Sequence, residues 1–156
     1  MSGVGKSSIV NALCKLSGVD AVSEVNPNTV VVLLAGSPVE TPWLHKVNAV
    51  LYMALPGEAG AEAIKNLLTG KVNPCGRLAE TWAISYDDVI TKDFYGVQDA
   101  EYREGVFVGY RYYDTARVPV RFPFGFGLSY TSFEYKDLVC DGKSVSVTVK
   151  NTEQKR

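Results

Sequence analysis

Trp43 and Glu40 are the side chains of this sequence whose chemistry best suits binding a small polar ring. An indole can stack on the apolar face of a pyranose, and a carboxylate can accept hydrogen bonds from its hydroxyl groups. Both residues lie in the segment Gly36–Trp43, which directly follows an apolar run. The alternative interpretation is structural, with Trp43 in the core and Glu40 solvated or locally paired. The two residues are therefore weak candidates for substrate binding, and the sequence leaves both interpretations open.

Two apolar runs predict the strands that position this segment. Thr29–Ala35 (TVVVLLA) follows an Asn-Pro-Asn turn signal, and Ala49–Leu55 (AVLYMAL) ends before a Pro-Gly pair. Continuous β-branched and aliphatic runs are typical of strands that are covered on both faces. We therefore expect the two runs to be neighbours in one buried sheet. The segment Gly36–Trp43 would then lie at the carboxyl edge of the sheet, where α/β proteins commonly hold ligands.

A helix is predicted for the next segment, EAGAEAIKNLLTG, which runs from Glu58 to Gly70. Its apolar residues share one helical face, namely Ala61, Ile64, Leu67 and Leu68. Gly70 is suited to ending the helix in a left-handed conformation. The order strand, loop, strand, loop, helix indicates an α/β layer with a parallel or mixed sheet.

The segment Tyr102–Tyr135 is dense in aromatic residues and is interrupted by four glycines. Glycine supplies unusual backbone angles, and Tyr and Phe pack well on pleated surfaces. The composition therefore predicts short strands and tight turns rather than a helix. Within it, EGVFVGYRYYD is followed by PVRFPFGFGLSYTSFEY. Upstream, GRLAETW carries the residues Gly76, Arg77, Leu78, Thr81 and Trp82.

These motifs, in this order, resemble the second domain of family 3 glycoside hydrolases, the β-glucosidase-like enzymes. The resemblance runs from about Asp20 to Asn151. It implies a layered α/β sandwich with a parallel or mixed sheet over residues 20–131. Residues 132–156 would be the first strands of a truncated fibronectin type III-like domain, an incomplete β-hairpin stub that turns at Asp141-Gly142.

The resemblance also implies how the family's enzymes act and what this chain lacks. They hydrolyse terminal β-D-glucosyl residues with retention, using two carboxylates about 5 Å apart. The nucleophile is an Asp on an N-terminal barrel, and the acid/base is a Glu that would precede Met1. Neither is carried over, so no catalytic residue is assigned, and a β-linked glucoside or oligosaccharide is expected as a partner only in the full enzyme. None of the local carboxylates is assigned catalysis, namely Glu58, Glu62, Glu80, Asp87, Asp88 and Glu104.

The segment Ser2–Leu13 (SGVGKSSIVNAL) has a different resemblance, to the phosphate-binding loop and helix of ribosome-associated GTPases. Gly5, Lys6 and Ser7 match the end of the P-loop motif. The first glycine of that motif would precede Met1, and no guanine-binding element follows. Residues 1–19 are therefore interpreted as a helical segment of separate origin with a degenerate P-loop remnant. Nucleotide binding is not expected, and the alternative is a solvated helix start.

Charge and cysteine spacing narrow the classes of partner and cofactor that the sequence supports. The net charge of −1 gives no reason to expect a nucleic acid or membrane partner, and the cysteines Cys14, Cys75 and Cys140 have no metal-ligand spacing. We expect buried free thiols, no cofactor, no metal and a cytoplasmic location, since no signal peptide is visible. A non-catalytic carbohydrate-binding or interaction module is the alternative to a hydrolase fragment. Without the barrel, the chain is expected to self-associate.

Overall fold

The computed structural model describes residues 18–94 and 101–153 of the chain. The helices are α1 (Gly18–Val25), α2 (Gly60–Leu68) and α3 (Tyr110–Ala116), and short 3₁₀ turns lie at Leu44–Lys46 and Tyr86–Asp88. The strands are β1 (Val30–Leu33), β2 (Ala49–Tyr52), β3 (Trp82–Ala83), β4 (Val120–Phe122), β5 (Phe133–Cys140) and β6 (Val145–Asn151). Two compact units result: the described part of residues 1–60 and 78–126, and the described part of residues 61–77 and 127–156.

Strands β1 and β2 pair in parallel, as the two apolar runs predicted. Val30 lies opposite Ala49 and Leu33 opposite Tyr52. The backbone hydrogen bond from Met53 N to Leu33 O, at 2.9 Å, closes the carboxyl end of the pair. With the antiparallel pairs β3–β4 and β5–β6, the described strands form pairs of mixed orientation. The predicted α/β class is therefore confirmed.

Both faces of β1 need cover, and the described residues supply it only in part, as expected of a chain that exposes apolar surface when it is on its own. Leu33 is 6% exposed, whereas Val30 is 47% exposed and Leu34, just after the strand, is 55% exposed. The described residues supply a cluster that packs on Leu33 but no comparable cover for Val30 and Leu34. An apolar run indicates that burial of both strand faces is favourable, but the residues that would bury them lie outside the run.

The core of the first unit is built around Trp82. Leu33, Val39 and Trp82 form a buried cluster, and Tyr52 and Phe122 pack against it. The Trp82 ring meets Tyr52 at 5.0 Å and Phe122 at 5.8 Å, both edge to face, a geometry that aromatic quadrupoles favour. Because Tyr52 ends β2 and Phe122 belongs to β4, Trp82 joins the two strand pairs of this unit.

Helix α3 contradicts the prediction that the segment Tyr102–Tyr135 contains no helix. Residues Tyr110–Ala116 are helical, between Gly109 with φ +59° and Arg117 with φ +54°. The stretch between these ends contains neither Gly nor Pro, and Tyr113 is buried within it. Burial of one aromatic residue outweighs the weak local preference of Tyr for strands.

Helix α2 confirms the predicted helix and its end at Gly70, which has φ +69°. The predicted apolar face is only partly packed: Ile64 and Leu67 are half-buried, while Ala61 is exposed and Leu68 is 49% exposed. In the second unit, the Tyr130 hydroxyl donates to Leu67 O at 2.9 Å. This bond holds the helix end against the chain that leads into β5.

Strands β5 and β6 form the predicted hairpin. Tyr135 lies opposite Val149 and Lys136 opposite Thr148, with an irregularity before Val139. The connection is Asp141–Ser144, where the Asp141 carboxylate accepts hydrogen bonds from the backbone N–H groups of Lys143 and Ser144. These bonds, with that of the Ser144 hydroxyl, lower the pKa of Asp141. The boundary between residues 131 and 132 as a domain border stays a prediction.

The described cysteines correct one expectation. Cys75 and Cys140 are free but exposed rather than buried. Cys75 lies in an irregular segment, and Cys140 lies on a hairpin whose strand residues are all exposed except Glu134, which is intermediate. Cys14 lies outside the described residues.

Candidate functional site

Trp43 is placed in the interior of the first unit. Its side chain is 2% exposed, and its carbonyl accepts from Lys46 N at 2.9 Å, which begins the 3₁₀ turn Leu44–Lys46. Stacking on a sugar needs an accessible ring face, which this burial does not leave. The packing therefore favours the structural interpretation of Trp43.

Glu40 is bound to the backbone of a neighbouring turn. Its Oε1 accepts a hydrogen bond from Tyr86 N at 2.8 Å and one from Ser85 Oγ at 3.3 Å. A carboxylate that accepts a backbone N–H makes a charge-assisted bond, which is stronger than a neutral one. Glu40 thus fixes the segment after β1 to the turn Tyr86–Asp88.

That turn is also ordered by its own side chains. Asp87 N donates to Ser85 Oγ at 3.3 Å, and Ser85 N donates to the Asp88 carboxylate at 3.1 Å. Together these bonds form a reciprocal capping box. The spacing Ser-x-x-Asp is a known sequence signal for such a start, and it could have identified the turn, though not its contact with Glu40.

Tyr52 is a polar group at the carboxyl edge that the sequence analysis did not single out, and the charge of Glu80, named there only as a local carboxylate, acts on it. The Tyr52 hydroxyl donates to Ala35 O at 2.9 Å and so bridges the ends of β1 and β2. Burial raises the pKa of the Glu80 carboxyl. The pKa of Tyr52 is raised mainly by burial and to a smaller extent by the charge of Glu80. A tyrosine at the last position of an otherwise aliphatic strand was the available signal.

Replacing Glu80 by glutamine is expected to stabilise the folded chain slightly at neutral pH, because the residue stays exposed and solvent screens most of the cost of its charge. Folding raises the pKa of Glu80, so the ionised carboxylate lowers the free energy of unfolding at pH values above that pKa. At pH values below the usual glutamate range the side chain is protonated in both states, and this cost disappears. Thermal unfolding should show a higher midpoint for Glu80→Gln at pH 7, and the gain should vanish toward about pH 4. Glu62→Gln, on the exposed face of α2, controls for net charge. A gain independent of pH would contradict the assignment.

The described residues contain neither a metal-ligand cluster nor a membrane-spanning helix. Among residues 18–94 and 101–153, no group of three or more His, Cys, Asp or Glu side chains is arranged to hold a metal. In the same ranges, no helix has the length and apolar character needed to cross a membrane. The P-loop-like residues Gly5, Lys6 and Ser7 lie outside the described residues.

The arrangement so far defines a small mixed α/β domain with a β-hairpin tail. The family model of the glycosyl hydrolase family 3 C-terminal domain matches residues 14–130. The chain therefore belongs to this family, and the resemblance drawn from its motifs is confirmed.

Curated relatives and solved structures agree with this assignment. Thermostable β-glucosidase B of Acetivibrio thermocellus is 52% identical over 130 residues, which cover 82% of this chain and 17% of that protein. A β-glucosidase of Rhizobium radiobacter is 45% identical over 146 residues, 85% of this chain and 18% of that protein. The crystal structure of a Bifidobacterium adolescentis GH3 β-glucosidase matches with a TM-score of 0.79 at 39% identity, covering 86% of this chain and 21% of that one.

This chain thus spans about a fifth of the length of the relatives it matches. In those relatives the matched domain is one part of a larger enzyme. The matched part includes the motifs around Trp82 and Phe124 that build the first unit.

Proposed function

We propose that this chain serves as the C-terminal α/β domain of a β-glucosidase-type O-glycosyl hydrolase and does not hydrolyse glycosides by itself. The observation that carries the proposal is the family match over residues 14–130, with relatives that are named β-glucosidases. The substrate class would be terminal β-D-glucosyl residues, which the chain would meet only within a complete enzyme.

The geometry of the carboxyl edge supports an accessory role. Retaining glycoside hydrolysis needs a nucleophilic carboxylate and an acid/base, about 5 Å apart across the glycosidic bond. Glu40 is engaged with the backbone of the turn at Tyr86, and the raised pKa of Glu80 follows from burial alone. We therefore assign the catalytic carboxylates to parts of the enzyme outside this chain, among them an N-terminal barrel.

The alternative of a self-sufficient carbohydrate-binding module is less well supported. Its aromatic candidate, Trp43, is 2% exposed. Its hydroxyl-binding candidate, Glu40, already accepts two hydrogen bonds from the turn beside it. No described observation favours a nucleotide-binding function.

Complementation of a truncated relative tests the proposal. The full chain is mixed with the Acetivibrio β-glucosidase B from which the 130 matching residues have been deleted. We expect the mixture to hydrolyse an aryl β-glucoside and each component alone to give no turnover, because catalysis requires the domains together.

The deleted piece of the relative, added in place of this chain, is the positive control. If that piece restores hydrolysis and this chain does not, the proposed function is wrong. Turnover by this chain alone that persists through repurification would contradict the assignment of the catalytic carboxylates to other domains.

A further inference from the structure

An exposed aromatic surface of the first unit has no role in the fold described above. We call it the aromatic face and define it by Val106, Val108, Tyr110 and Phe124. Their exposed fractions are 70%, 47%, 44% and 54%. The rings of Tyr110 and Phe124 contact each other with centroids 5.3 Å apart. Two exposed rings in contact, with exposed valines two and four residues before Tyr110 in the chain, are a candidate interaction surface, because exposed apolar patches often mark such sites.

Phe124 is exposed on a turn whose backbone is held in place by hydrogen bonds. Phe124 and Gly125 are the central residues of a turn in which Phe126 N donates to Pro123 O at 3.1 Å, and Gly125 has φ +79°. Gly125 N donates to Leu78 O at 2.8 Å, and Phe124 N donates to Thr81 Oγ1 at 3.2 Å. The turn is thus fixed to the backbone beside Trp82. A ring presented on such a rigid turn loses little entropy when a partner covers it.

A polar feature lies near this surface in sequence. A shallow hollow of about 350 Å³ is lined by Phe107, which is 45% exposed, and by Glu104, Tyr112 and Thr115 among others. One carboxylate oxygen of Glu104 is buried and has no hydrogen-bond partner within the described residues. A buried carboxylate oxygen without a donor is costly, so a donor group from a partner would be stabilising.

We infer that the aromatic face is the surface through which this chain docks on the remainder of the β-glucosidase, an inference that rests on the proposed function. Roughly four-fifths of the relatives' length lies outside this chain, which spans 17% to 21% of them. The partner surface should bring apolar side chains to Phe124 and Tyr110 and a donor side chain, such as Arg or Lys, to Glu104. The exposed valines that precede Tyr110 in the chain favour a protein surface over a sugar, because the core of a protein interface is apolar, whereas a sugar needs hydroxyl-binding groups around a stacking ring.

The test uses the full chain and the truncated Acetivibrio enzyme described above. The readouts are the concentration of chain that gives half-maximal hydrolysis and co-elution of the two proteins in size-exclusion chromatography. Phe124→Ser and Tyr110→Ser should each raise that concentration about tenfold or more, the size of an interface hot spot. Tyr86→Ser, an aromatic of 50% exposure elsewhere in the first unit, is the matched control and should leave it unchanged.

The outcomes separate the two proposals. Hydrolysis that responds to Phe124→Ser and Tyr110→Ser but not to Tyr86→Ser supports the docking surface. Hydrolysis at the wild-type concentration with both aromatic-face variants overturns the docking surface and leaves the proposed function intact. Co-elution that depends on Phe124 without any hydrolysis supports docking and overturns the proposed function. Neither co-elution nor hydrolysis by the wild-type chain overturns both. Circular dichroism and thermal unfolding identify any variant that fails to fold, and Phe124→Leu then replaces it.

Discussion

Trp82→Ala is expected to lower the free energy of unfolding by about 3–5 kcal/mol, the usual cost of truncating a fully buried large aromatic residue. Trp82 is 2% exposed and meets the rings of Tyr52 and Phe122. Native domains are stable by only about 5–15 kcal/mol. The loss would therefore remove a large share of the stability of such a domain.

Urea unfolding followed by circular dichroism measures this effect. Tyr135→Ala, on the exposed hairpin, is the matched truncation and should cost less than about 1 kcal/mol, as is usual for surface positions. Trp82→Phe should fall between them because it keeps an aromatic ring in the cluster. Equal unfolding midpoints for Trp82→Ala and Tyr135→Ala would show that the cluster of Leu33, Val39 and Trp82 is not the core of the first unit.

Local patterns predicted the elements whose signals lie within a few residues of each other. The β-branched run that became β1 and the run that became β2 are examples, since each is followed by Gly or Pro. Gly70 is another signal of this kind. Helices commonly end at a left-handed glycine, and Gly70 directly follows the last apolar residues of the predicted helix. The hairpin turn was predicted from Asp141-Gly142. The Asp141 carboxylate accepts hydrogen bonds from the backbone of the turn, and Gly142 adopts the positive φ that the turn requires.

Features that depend on distant residues could not be predicted in the same way. Glu40 finds its donors 45 and 46 residues further along the chain, at Ser85 and Tyr86. No periodicity in the sequence encodes that meeting. The prediction of no helix at α3 was wrong for a related reason. Burial of Tyr113 favours the helix, and burial is a property of the folded unit and not of the local sequence.

The candidate site illustrates the same division. A tryptophan after a strand is compatible with a sugar platform and with a core position, and the choice depends on what covers the ring. The structure places 98% of the Trp43 surface out of reach of solvent, since its exposed fraction is 2%. The raised pKa of Glu80 likewise depends on its surroundings in the folded chain and not on its neighbours in sequence.

Removing the hairpin, residues 132–156, is expected to convert a self-associating chain into a predominantly monomeric one. Phe133, Tyr135, Val145, Val147 and Val149 lie on one face of the hairpin, and their exposed fractions run from 42% to 69%. Each strand also has a free edge in the described part of the chain. Exposed apolar strands with free edges are templates for pairing with another copy. Light scattering on the full chain and on residues 1–131 measures the difference.

The deletion should cost little stability, because the hairpin's hydrogen bonds in the described residues run within 131–153. A substitution in the full chain separates association from loss of structure. Val147→Lys puts a charge at the centre of the apolar face and should reduce association as the deletion does. Thr148→Lys puts the same charge on the opposite face and should leave association nearly unchanged. If the full chain is a stable monomer and truncation at residue 131 unfolds it, the hairpin packs on the α/β domain and the prediction is wrong.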